Sequence, residues 1–175
     1  IGQPLDIAPI AAGMPTLVAG LSKNSRAAAE GIMTTDTVLK EIAFSFKIDG
    51  VECKIGGIAK GSGMIHPNMA TLLVFITTDT AISKKMLQKA LSADVEDSFN
   101  MVSVDGDTST NDMVTVLANG MAENPEITSD GEEFKVFAEA LAAVTKYLCR
   151  MIAADGEGAT KLLECVVSGA DYIKT

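Results

Sequence analysis

The chain has 175 residues, 47% of them apolar and 21% charged, which are the proportions of one globular domain or two very small ones. They exclude a disordered chain, a collagen-like repeat and a coiled coil. A net charge of −9, from 14 basic against 23 acidic side chains, argues against a nucleic-acid binder, which needs a basic face.

The longest aliphatic and aromatic run is Leu72-Leu-Val-Phe-Ile76, far short of the roughly 20 residues that cross a bilayer. Ile-Gly-Gln-Pro-Leu-Asp, with which the sequence opens, has no basic start and no apolar stretch, so no signal peptide is read there. Three cysteines (Cys53, Cys149, Cys165) without a Cys-x-x-Cys pair fit a reducing compartment better than a disulfide scaffold. The expectation is an acidic, cytoplasmic α/β domain with no membrane partner.

In chain order, residues 21–33 contain Ser22, placed to cap a helix, and the helix-favouring Ala27, Ala28 and Ala29. Residues 41–48 then switch to period two, with Ile42, Phe44, Phe46 and Ile48 on one face. Asp49-Gly50 is a strong hairpin turn, and Val51, Cys53 and Ile55 alternate after it. Residues 56–70 are punctuated by glycine and cannot be regular throughout. Residues 72–76 read as a strand buried on both faces. Ser83 is placed to cap a helix carrying Met86, Leu87, Ala90 and Leu91. Strand-like stretches at 101–104 and 113–117 flank an acidic segment at 105–112. The clearest helix is 133–153, where Phe134, Phe137, Leu141, Val144, Leu148 and Met151 form one stripe. Ser129 and Glu132 have capping-box spacing before it, and Asp155-Gly156 ends it. Residues 165–167 read as a last strand.

Several kinds of site are disfavoured by composition. His66 is the one histidine, beside Pro67, and reads as a solvated loop side chain. The cysteines and His66 lack metal-ligand spacing, so no metal site is expected. Residues 105–112 resemble a calcium loop, but its sixth position is Thr110 and its twelfth is Val116 rather than glycine and glutamate. A turn held by Asp, Ser, Thr and Asn side chains is the simpler reading. Gly61-Ser-Gly63 is too short for a phosphate loop.

Thr71 stands where the glycine-rich segment enters a buried strand, after Ala70. A threonine hydroxyl is a poor nucleophile unless the residue is N-terminal, when its own α-amine can act as base. That amine has a pKa of about 7.7–8.0, suited to proton transfer at neutral pH. Cleavage of the Ala70–Thr71 bond would create such a terminus, with the Thr71 hydroxyl attacking the Ala70 carbonyl and the resulting ester hydrolysing. On spacing alone, any internal threonine before a strand looks similar.

Lys60-Gly-Ser-Gly-Met-Ile-His-Pro-Asn-Met-Ala-Thr71 and the following Leu-Leu-Val-Phe-Ile-Thr-Thr-Asp79 resemble the self-cleavage segment of the ornithine acetyltransferase family, the glutamate N-acetyltransferases of arginine biosynthesis. Ile32-Met-Thr-Thr-Asp-Thr37, Asp105-Gly-Asp-Thr-Ser-Thr-Asn-Asp112 and Asp155-Gly-Glu-Gly-Ala-Thr-Lys161 match the same family in the same order. The resemblance implies a four-layer α-β-β-α sandwich of the N-terminal-nucleophile type. It implies that residues 1–175 are the middle portion of a family member, a single truncated domain cut into 1–70 and 71–175. The family's Thr-Gly oxyanion pair would precede Ile1, and two of its substrate contacts would follow Thr175.

The implied chemistry is ping-pong: Thr71 takes an acetyl group from N2-acetylornithine and passes it to glutamate. Lys60, Thr34 and Glu157 align with substrate-binding residues, Lys60 suited to an α-carboxylate and Glu157 to an amine. Asn111 and Asp112 are placed to fix the site from behind. No bound cofactor is implied, and acetyl-CoA enters only as a further acetyl donor. The two processed chains would stay together and assemble further into a homo-oligomer. Two other readings remain open from the residues: a self-processing amidohydrolase or aminopeptidase that releases the acyl group to water, and an inactive fragment with a purely structural role.

Overall fold

A computed structural model describes residues 3–21, 25–66, 72–109 and 111–169. The elements are α1 (Ala8–Ala19), α2 (Arg26–Gly31), β1 (Lys40–Ile48), β2 (Val51–Lys60), β3 (Leu73–Thr78), α3 (Lys84–Glu96), β4 (Met113–Ala118) and α4 (Glu132–Ala154). The mixed α/β class read from the sequence holds.

One sheet organises the described residues, in the order β1-β2-β3-β4. The hairpin forms where Asp49-Gly50 predicts it, with both turn residues at positive φ (49° and 80°) and Ile48 paired with Val51. Such a turn has the twist that antiparallel strands need. β3 adds antiparallel to β2, and β4 parallel to β3 after the crossover through α3. Ser83 caps α3 as expected, its hydroxyl accepting from the Met86 amide at 3.4 Å.

α4 lies across the sheet face that carries Ile48, Cys53, Ile55, Val74 and Ile76, and buries Phe137, Leu141, Val144, Leu148 and Ile152 against it. Each such side chain contributes roughly 1.5–3 kcal/mol by leaving water. The stripe turns slightly from the expected one: Ile152 is buried, while Phe134 and Met151 are half-buried. Gly57 lets α4 approach closely, since a Cβ there would meet Ile76, Val144 and Leu148 at 3.1–3.2 Å.

Other expectations are corrected. The irregularity expected within 56–70 holds over 61–66 but begins only there: residues 56–60 continue β2, because their backbone pairs on both sides with β1 and β3. β3 is buried on one face only: Val74 and Ile76 are fully covered, Leu73 and Phe75 half-covered. Residues 102–104 are not a strand; Phe99–Met101 takes a 3₁₀ turn, and a single bond from the Val104 amide to the Ile65 carbonyl replaces a ladder. Gly131, not Ser129, sits at the N-cap of α4. Residues 165–167 are exposed and without strand partners among the described residues. Ser22 lies outside the described residues. α1 was not expected; prolines at positions 9 and 15 obscure its pattern, and none of its residues is buried.

Of the layers the resemblance implies, the described residues supply one sheet with α3 and α4 on one of its faces. β1 and β2 precede the expected cleavage point, while β3, β4, α3 and α4 follow it. The two stretches therefore share one sheet and one core. Among the described residues no helix is long and apolar enough to cross a membrane.

Candidate active site

The four matched segments meet at the end of β2. Asp36, buried beside it, accepts from the Gly61 amide at 2.7 Å, from the Thr34 amide at 3.1 Å and from the Lys40 ammonium at 2.7 Å. Burial alone would push its carboxyl up; the donors from Gly61, Lys40 and Thr34 outweigh that and hold it below the usual carboxylate range. Asp155, the residue closing α4, takes the other side of the Lys40 ammonium at 2.6 Å and accepts from the Thr37 amide at 2.9 Å and the Thr37 hydroxyl. Its carboxyl is likewise held low by Lys40 and Thr37 against the effect of burial.

The loop after β2 is bound on two further sides. Ser62, buried, shares a 2.5 Å hydroxyl contact with Thr35, and its carbonyl accepts the Glu157 amide at 2.7 Å. The Glu157 carboxylate lies against Gly63, where a Cβ would come within 2.7 Å of Oε2, so any larger residue would displace it. Asp105 accepts from the amides of Met64 (2.6 Å) and Ile65 (3.0 Å), and these bonds keep its carboxyl below the ordinary range despite desolvation. Asp112 accepts from the Leu72 amide at 2.8 Å. Both aspartates anchor backbone of a distant segment, which the turn reading of 105–112 did not anticipate, and Asp112 fixes the residue that follows position 71. The turn itself is held as expected, by the Asp107 amide on Asp105 and the Asn111 amide on the Ser109 hydroxyl, both at 3.2 Å.

Lys60 is the last residue of β2 and is only 7% exposed. Strand alternation sets it on the face opposite α4, beside Leu73 in register. Among the described residues no carboxylate pairs with its ammonium. Thr34 and Glu157 are exposed, and their backbone amides bind Asp36 and the Ser62 carbonyl on either side of the loop that follows Lys60. Ala70 and Thr71 lie outside the described residues. His66 is corrected from the sequence reading: it is half-buried, and its Nδ1 is covered without a hydrogen-bond partner among the described residues.

Cysteine chemistry has no place here. Cys149 is buried in the core near Asp94, and both effects push its thiol up to about 12, far from a reactive thiolate. Among the described residues no cluster of His, Cys, Asp and Glu could hold a metal ion. The sequence reading missed Asp36, Lys40, Ser62 and Asp155. Asp36, Ser62 and Asp155 stand inside matched motifs, and Lys40 follows Asp36 by four residues, but nothing local announces that two carboxylates so distant in sequence share one ammonium.

Residues 1–175 match the model of the ArgJ family. The chain belongs to the ArgJ family. It is 54% identical to the arginine biosynthesis bifunctional protein ArgJ of Symbiobacterium thermophilum, over 97% of this chain and 42% of that protein. The protein of the same name from Bacillus subtilis is 52% identical over 97% of this chain and 42% of its own length. That of Listeria monocytogenes is 57% identical over 81% and 35%. A crystal structure of ArgJ from Bacillus halodurans superposes with a TM-score of 0.48 at 50% identity, covering 50% of this chain and 41% of that one. The chain spans about two-fifths of the length of the curated ArgJ relatives it matches.

Proposed function

We propose that the protein moves an acetyl group from N2-acetylornithine to glutamate through an acetyl-threonine formed at Thr71. The observation that carries this reading is that all four matched segments are tied together by hydrogen bonds around the end of β2, leaving one buried ammonium, Lys60, without a counter-ion among the described residues. An unpaired buried cation is costly, and the α-carboxylate common to ornithine and glutamate is the partner that would relieve it.

Maturation comes first. The Thr71 hydroxyl attacks the Ala70 carbonyl, the peptide bond becomes an ester, and water hydrolyses it to free the Thr71 α-amine. In the first half-reaction that amine takes the hydroxyl proton as Oγ attacks the acetyl carbonyl of acetylornithine. The C–N bond breaks, the proton passes to the leaving ornithine amine, and the acetyl group stays on Oγ. In the second, the glutamate amine attacks the ester and Oγ regains a proton as N-acetylglutamate leaves. Lys60 holds the α-carboxylate in both, Thr34 offers a hydroxyl, and Glu157 receives the amine end of the donor.

Residues 1–70 and 71–175 stay associated in this reading, because β3 is hydrogen-bonded to β2 and α4 packs on β1 and β2. The processed pair works in the cytoplasm and assembles further with its own kind. The word bifunctional in the relatives' name supports a second activity; acetyl-CoA, as a substrate rather than a resident cofactor, could load the same threonine.

The test is to incubate full-length protein with acetylornithine, with and without glutamate. N-acetylglutamate formed only when glutamate is present supports transfer. Free acetate at the same rate in both tubes would overturn it in favour of hydrolysis. Thr71→Ala should abolish both processing and transfer, and Thr71→Ser should retain part of each.

A further inference from the structure

Lys40 is buried completely, with Asp36 at 2.7 Å and Asp155 at 2.6 Å, the two carboxylates themselves 0% and 5% exposed at the side chain. A buried ionic cluster is weak evidence of stabilisation, since apolar residues of the same volume often serve as well or better. What this cluster does that apolar residues cannot is bind backbone. Asp36 receives the amides of Thr34 and Gly61, and Asp155 receives those of Thr37 and Val38 together with the Thr37 hydroxyl. Three chain segments, far apart in sequence, are thus registered on a single ammonium.

Each segment carries one proposed substrate-binding residue. Thr34 donates its own amide to Asp36, Lys60 precedes Gly61, and Glu157 lies two residues beyond Asp155 with its amide on the Ser62 carbonyl. Resting on the acetyl-transfer reading above, we propose that Lys40, acting through Asp36 and Asp155, is a positioning residue that holds Thr34, Lys60 and Glu157 in register for the substrate. It touches no substrate. It sits on the α4 side of β1, paired with Ala59, while Lys60 is on the opposite face of the neighbouring strand. Mispositioning by about 1 Å can cost two decades of rate in an oriented site. Loosening the cluster should therefore weaken binding of donor and acceptor together, because both depend on the same groups.

The experiment compares full-length wild type with Lys40→Met and Asp155→Asn. Lys40→Met leaves two carboxylates facing each other and can fail to fold, so the decision rests on Asp155→Asn, which keeps a one-to-one Lys40–Asp36 pair. The expected result is a variant with a cooperative thermal transition in which KM rises about tenfold, the loss of one charge-assisted contact, for acetylornithine and for glutamate alike. A folded Asp155→Asn with both KM values unchanged, or with a change in one substrate, in kcat alone or in thermal stability alone, would overturn the proposal. Wild type that transfers no acetyl group would overturn the acetyl-transfer reading and this proposal with it; an active wild type with an indifferent variant overturns this proposal only.

Discussion

Lys40 and Lys60 are both buried lysines, and their surroundings differ in the way their proposed roles require. Lys40 is saturated by Asp36 and Asp155, so its charge is spent inside the protein. Lys60 has no such partner among the described residues and stands beside the strand that follows position 71. A charge-assisted contact is worth about 1.5–3 kcal/mol. Lys60→Met should therefore lower kcat/KM by roughly one to two decades, for acetylornithine and glutamate equally. Steady-state kinetics on the purified variant decide this. Unchanged constants for both substrates would return Lys60 to a structural role.

Single residues were legible where their chemistry is local. Asp49-Gly50 announces its own turn, and Ser83 its helix. Lys60, Thr34 and Glu157 are proposed through the matched motifs alone, and the residues that fasten their segments were not read from the sequence. Asp36 and Asp155 are ordinary acidic residues until the fold brings them to Lys40, and His66 read as solvated because nothing in its neighbours reveals that Nδ1 is covered.

At the scale of elements, the period of the pattern was the reliable signal and its edges were not. β1, α3 and α4 form where alternation or a three-to-four repeat marks them, and β3 and β4 where short apolar stretches do. Residues 165–167 have the composition of a strand but no strand alongside among the described residues, and a strand exists only through its neighbours. The irregular segment expected over 56–70 starts only at residue 61, because Gly57 belongs to the strand and lets α4 approach the sheet. That close contact makes a prediction about α4. Leu148 is fully buried against Gly57, so Leu148→Ala should destabilise by about 2–5 kcal/mol. In a domain of this size that lowers Tm by roughly 4–20 °C. A calorimetric Tm within a degree of wild type would show that α4 does not pack on β2 as described.

For the whole molecule, the acidic cluster ties stability to pH. Asp36 and Asp155 have folded values below those of the unfolded chain, so their contribution is complete above about pH 4 and is lost as pH falls through the folded values. Asp94 and Asp112 are pushed up by burial and act in the opposite sense, favouring the fold less as they ionise. The difference in Tm between wild type and Asp36→Asn should accordingly shrink as pH drops from about 6 to about 3. A difference that stays constant or widens would mean that the Asp36 carboxylate does not stabilise the fold through its charge.

The same scale holds the central claim, that one threonine made terminal by cleavage carries the acetyl group between two amines. The most direct measurement is intact mass of full-length protein after incubation with acetylornithine alone and then with glutamate. The account predicts a chain beginning Thr-Leu-Leu-Val that gains one acetyl group, located at Thr71 by fragmentation, and loses it when glutamate is added as N-acetylglutamate appears. An active protein with the Ala70–Thr71 bond intact, or one whose acetyl group resides on any other residue, would contradict it.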